Sequence, residues 1–112
     1  MEIIEQIEND LVILKIKGRL DTSNYTYFEK RINELINGGT LKILVDCSDM
    51  VFISSSWLRV FLVALKRLTT LKGRLVISAL NENIAEIFSI SGFTGIFEIF
   101  PHFDQAVKSF KT

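Results

Sequence analysis

Apolar and polar positions alternate with a period near two at the start of the chain and then change to helical spacing. "EIIEQIEND" (2–10) followed by "LVILKIKG" (11–18) reads as two strands with a turn at Glu8-Asn9-Asp10. Val12, Leu14 and Ile16 are predicted to face inward while Lys15 and Lys17 face water, as in a half-covered strand that Gly18 ends. In "DTSNYTYFEKRINELINGG" (21–39), Tyr25, Phe28, Ile32, Leu35 and Ile36 fall on one helical face. Thr22, Ser23 or Asn24 can cap that helix, and Gly38-Gly39 supply a left-handed stop.

"LKILVD" (41–46) is almost continuously apolar, the pattern of a strand covered on both faces. Beyond it, Leu58, Phe61, Leu62, Leu65 and Leu68 form a stripe over a helix at 55–72, with Arg59, Lys66 and Arg67 off the stripe. A second buried strand, "RLVISAL" (74–80), leads to a helix at 81–92 that opens on Asn81. "GIFEIF" (95–100) is predicted as the last strand. Phe103, Ala106, Val107 and Phe110 give a short amphipathic helix after Pro101. The order β-β-α-β-α-β-α-β-α predicts one α/β domain over 1–112. Its sheet is small and mixed, four to five strands with four helices, because the opening hairpin pairs antiparallel and later strands are joined through helices.

Composition narrows the function. Of 112 residues, 13 are basic and 13 acidic, so the field and basic runs of a nucleic-acid binder are missing. The run "VFLVAL" (60–65) is too short to span a bilayer, and the acidic opening does not resemble a signal peptide, so no membrane insertion and a cytoplasmic location are expected. The lone Cys47 provides neither a disulfide nor a thiolate metal cluster, and reads as a packed side chain. His102 has no serine and acid at triad spacing and reads as a capping or surface residue. Asp46 and Asp49 are better explained by turn chemistry than by a cation. Gly92 and Gly95 make no dinucleotide or phosphate loop. No catalytic residue, metal or cofactor is therefore expected.

What remains is "VFISSSWLRVF" (51–61), where Ser54, Ser55 and Ser56 stand between a strand and a helix start. Ligands and chemistry gather at the carboxyl edge of open α/β sheets. A helix start also carries unpaired N–H groups and partial positive charge. A serine there can cap the helix, worth about 1 kcal/mol, or accept a phosphate that the helix end tolerates. Residue chemistry alone leaves both readings open. It also leaves open whether Trp57 is packed inside or anchors a partner.

Taken together, three segments resemble a STAS domain of the kind found in bacterial anti-sigma factor antagonists. "LKIKGRLDTSNY" (14–25) is similar to the family's Gly-x-Leu-Asp strand end, and "LKILVDCSDMVFISSSWLRVFLVALKRL" (41–68) to its Asp-x-Ser turn and Asp-Ser-Ser-Gly-Leu segment. "GRLVISALNENIAEIFSISGFTGIFEIF" (73–100) is similar to its closing strand-helix-strand. The resemblance covers essentially the whole domain. It implies that the phosphorylated serine is Ser55, with Ser54 in place of the family Asp, Ser56 as the next serine, Trp57 in place of Gly, and Leu58 as Leu. Asp21 is expected near that site, and Asp21, Ser54, Ser55, Ser56, Trp57 and Arg59 are expected to meet a partner. The implied partners are an anti-sigma factor that is also a serine kinase, and a serine phosphatase. The alternative is a constitutive STAS scaffold or a regulatory subunit of a transport or signalling assembly, with the serines as caps only.

Overall fold

The computed structural model describes residues 1–111. In chain order its elements are β1 (Glu2–Glu8), β2 (Leu11–Leu20), α1 (Tyr25–Asn37), β3 (Lys42–Asp46), β4 (Met50–Ile53), α2 (Ser55–Thr70), β5 (Arg74–Ser78), α3 (Glu82–Ile90), β6 (Glu98–Phe100) and α4 (Phe103–Ser109). The sheet has six strands in the order β1-β2-β3-β5-β6, with β4 paired to β2 off that path. Only β1 and β2 are antiparallel, running in register from Glu2 opposite Lys17 to Glu8 opposite Leu11. Asn9 at φ +59 makes the tight turn between them, a conformation that Asn tolerates better than most residues. The remaining pairs are parallel.

Two cores lie on opposite faces of this sheet. The larger packs Val12, Leu14, Ile16, Ile43, Val45, Leu75 and Ile77 against α1, α2 and α3 through Phe28, Ile32, Trp57, Phe61, Leu68, Ile84 and Phe88. The smaller packs Leu11, Ile13, Leu44 and Val76 against Ala106 and Val107 of α4. Successive side chains of a strand point to opposite faces, so one apolar run feeds both cores. Burying each such side chain stabilises by about 1.5–3 kcal/mol before entropy is counted. β2 is therefore covered on both faces along its first half, where alternation had suggested one.

Three further expectations change. Gly18 does not end β2, which runs on to Leu20. Instead β2 changes partner: Leu11–Lys15 pair with β3, Gly18–Leu20 pair with β4, and the register shifts between Gly18 and Arg19. Gly18 at φ +93 supplies the bend, which a residue with a Cβ rarely adopts, and its N–H donates to the Asp49 carbonyl at 2.9 Å. The sixth strand, β4, is only four residues long and carries too little alternation to be recognised. Within 95–100 only Glu98–Phe100 is strand, and Gly95, Ile96 and Phe97 lie in turns or bends that bury Phe97 beside Phe88 and Phe93. The strand count is thus one above the expected range, and the helix count and mixed pairing agree with it.

These adjustments place the serines. The Ser54 N–H donates to the Leu20 carbonyl at 2.8 Å, which laces the end of β2 directly to the start of α2. The turn after β2 and the first turn of α2 are thereby brought side by side.

Candidate functional site: the amino end of α2

Ser54 is the cap. Its backbone is extended (φ −86, ψ 165) and its hydroxyl accepts from the Trp57 N–H at 3.4 Å, a long and weak bond. The Ser54 carbonyl accepts the Leu58 N–H at 3.1 Å and starts the helix. Ser55, the first helical residue, is exposed; Ser56 is half-buried, and Arg59 one turn on is exposed. No acidic residue lies in the first turn of α2, so the positive end of the helix dipole is left without a countercharge from its own first turn.

Ser55, Ser56 and Arg59 line one wall of a groove of about 560 Å³, with Val60 and Val63 of α2 beside them and Tyr25 and Glu29 of α1 opposite. The family resemblance pointed to Ser55 and Arg59 but not to Glu29, which only the packing of α1 beside α2 brings there, nor to Val63, which lies on α2 two turns beyond Ser55. Each of the two is exposed, and neither carries a local signal that would have singled it out.

Trp57 corrects one expectation. The indole is completely buried, at 0% exposure, and so presents no surface to a partner. It stacks on Phe28 at 4.8 Å between centroids and 17° between planes, with Phe61 edge-on to both rings. Its position explains the direction: Trp57, Phe61, Ala64 and Leu68 are all buried along α2, at the three- and four-residue spacing of one helical face. The indole N–H has acceptors in the Asp21 carbonyl at 3.0 Å and Asn24 Oδ1 at 2.7 Å, so the buried donor is satisfied.

Asn24 is the residue that sequence reasoning undervalued. It occupies the cap position of α1 but makes no side-chain cap bond there. Its amide instead donates to the Arg19 carbonyl at 3.0 Å, while its Oδ1 accepts from the Asp21 N–H at 3.0 Å as well as from Trp57. This one side chain ties the turn after β2 to the start of α2. Asp21 is thereby linked to the first turn of α2 through the Trp57 indole, which donates to its carbonyl. Its carboxylate accepts from the Ser23 hydroxyl at 2.5 Å and the Ser23 N–H at 3.0 Å, and lies 3.6 Å from Arg19 Nε. The Ser23 hydroxyl chiefly, then its N–H and the Arg19 charge, hold the Asp21 carboxyl below the ordinary range.

The other polar candidates serve the turn. Buried Asp46 accepts from Ser48 and Ser78 hydroxyls at 3.1 and 3.2 Å. Asp49 is exposed, 3.9 Å from Lys17. Among the described residues, no three His, Cys, Asp or Glu side chains gather in a group that could hold a metal. Cys47 is buried, and desolvation, aided by the Asp46 charge, pushes its thiol far above the usual range, which makes it a poor nucleophile. His102 stands at the start of α4 without making a side-chain cap bond. Among the described residues, no helix is long and apolar enough to cross a membrane.

Comparison with known proteins adds the lineage. The STAS domain family model matches residues 2–106. The chain is 30% identical over 102 residues, 91% of its length and 88% of the relative's, to BtrV of Bordetella bronchiseptica, assigned as an anti-sigma factor antagonist. The crystal structure of TM1081 from Thermotoga maritima, assigned to the same class, superposes with a TM-score of 0.90 at 27% identity, over 96% of this chain and 92% of that one. The unphosphorylated form of the Bacillus anti-sigma factor antagonist SpoIIAA superposes with a TM-score of 0.86 at 18% identity, over 98% and 96% of the two chains, a likeness of fold. This chain belongs to the STAS domain family, and its relatives are named as anti-sigma factor antagonists.

Proposed function

We propose that this domain is an anti-sigma factor antagonist that acts in the cytoplasm by partner switching, with Ser55 as the phosphorylated residue. Unmodified, it docks an anti-sigma factor that is also a serine kinase and so frees the sigma factor. The kinase transfers the γ-phosphoryl group of ATP to Ser55 Oγ, the hydroxyl proton leaves, and ADP departs. A phosphatase later hydrolyses the ester with water and releases inorganic phosphate.

The observation that carries this reading is the division of labour among the three hydroxyls. Ser54 is engaged as the cap, Ser56 is half-buried, and Ser55 is exposed on the rim of the groove. A phosphate of nearly two negative charges on Ser55 meets no acidic residue in the first turn and lies by the positive end of α2. The domain therefore tolerates it, while a protein docked on the groove would have to desolvate an unmatched charge, at a cost of several kcal/mol.

The test is recovery of partners by the full chain and its variants from the native cell, with phosphopeptide mass spectrometry of the bound and free pools. Ser55→Ala is expected to retain an ATP-binding serine kinase, and Ser55→Asp to lose it. Equal retention by both variants, with no phosphoserine at 54–56 under any growth condition, would replace this reading by the constitutive scaffold.

A further inference from the structure

Resting on Ser55 as the modified residue, we infer that Arg59 is the built-in counter-ion of the phosphate, a positioning residue that draws the phosphoryl group onto the α2 surface. Residues four apart on a helix lie one turn above each other on the same face. Ser55 and Arg59 also line the same groove. Each Cα–Cβ bond tilts toward the helix N-terminus, so the Arg59 side chain leans back toward Ser55. The order, anion first and cation four residues later, is the favourable one. Among the described residues, Arg59 takes part in none of the ion pairs, whereas Arg19, Arg31 and Arg74 each hold a carboxylate. Its guanidinium can present two parallel N–H donors to two phosphate oxygens, which a point charge cannot.

The surrounding charges give the pairing a purpose. Across the groove stands Glu29 of α1, with Tyr25 on the same wall. The Asp21 carboxylate, in the turn after β2, is already occupied by Ser23 and Arg19. A phosphate leaning across the groove would approach the Glu29 carboxylate, and one held by Arg59 stays on its own helix. The modification then also withdraws that guanidinium from the surface a partner meets. A carboxylate at position 55 has fewer oxygens and less charge, so Ser55→Asp imitates only part of the change.

The experiment uses the full chain with phosphoserine placed at position 55 during translation and follows the phosphorus resonance from pH 4.5 to 8. The second ionisation of phosphoserine lies near 6, and a paired guanidinium favours the dianion. Arg59→Gln is expected to raise the midpoint by about 0.5 unit, Arg59→Lys to raise it by less, and 1 M salt to shrink the difference. Lys66→Gln, an exposed cation farther along α2, is expected to leave the midpoint in place. An unchanged midpoint in Arg59→Gln, or an equal rise in Lys66→Gln, overturns the pairing. Because the phosphate is installed without a kinase, this outcome is independent of whether the cell modifies Ser55. Absence of phosphoserine in the native protein would remove the proposed function and leave the titration as it is.

Discussion

Two helices, α2 and α3, open after strands of the same sheet and begin alike. Ser54 and Asn81 each have an extended backbone and each accept the N–H of the residue three positions on, Trp57 and Ile84. Both of those residues are fully buried. The residue after the cap differs: Glu82 in α3, a fixed negative charge at the positive end of the helix, and Ser55 in α2, a neutral hydroxyl. The caps also differ in strength. Asn81 accepts at 3.0 Å and donates to the Met50 carbonyl at 2.7 Å, whereas Ser54 accepts at 3.4 Å. One helix carries a complementary charge in its first turn, and the other has a neutral hydroxyl in that place. The weaker cap of α2 is offset from beneath, by an indole stacked on Phe28 and bonded to the turn after β2.

The comparison breaks most sharply at the buried residues. Trp57→Ala is expected to lower unfolding free energy by about 3–5 kcal/mol, measured in urea, and Ile84→Ala by about 2–5 kcal/mol. A smaller loss at Trp57 than at Ile84 would show that the indole is not what secures α2. The caps come next. Asn81→Ala removes two good bonds and is expected to cost about 2 kcal/mol, while Ser54→Ala removes one long bond and falls nearer 0.5 kcal/mol. Equal losses would contradict the difference in geometry. The smallest effect concerns charge. Ser55→Glu is expected to raise stability, and Glu82→Gln to lower it, by about 0.3–1 kcal/mol each at low salt, with both differences fading in 1 M salt. A destabilising Ser55→Glu would mean that α2 does not accept a negative group at its first residue.

The candidate site was partly legible beforehand. The three hydroxyls at the start of a helical stripe marked the location, and the family resemblance singled out Ser55 among them and set Arg59 among the residues expected to meet a partner. The even choice over Trp57 could not be resolved in that way. Its partners Phe28 and Asn24 lie 29 and 33 positions earlier, and nothing local reports that α1 will pass over the first turn of α2. Glu29 entered the groove for the same reason.

The four helices, five of the strands, the turn of the opening hairpin and the position of the helix starts follow from the sequence itself, since they rest on periodicity, turn residues and caps within a few positions. Only the tertiary structure decided that β2 changes partner at Gly18, that four residues after Asp49 make a sixth strand, and that the indole turns inward. Pairing and burial depend on which distant segments come together, and short-range pattern holds no information about that choice.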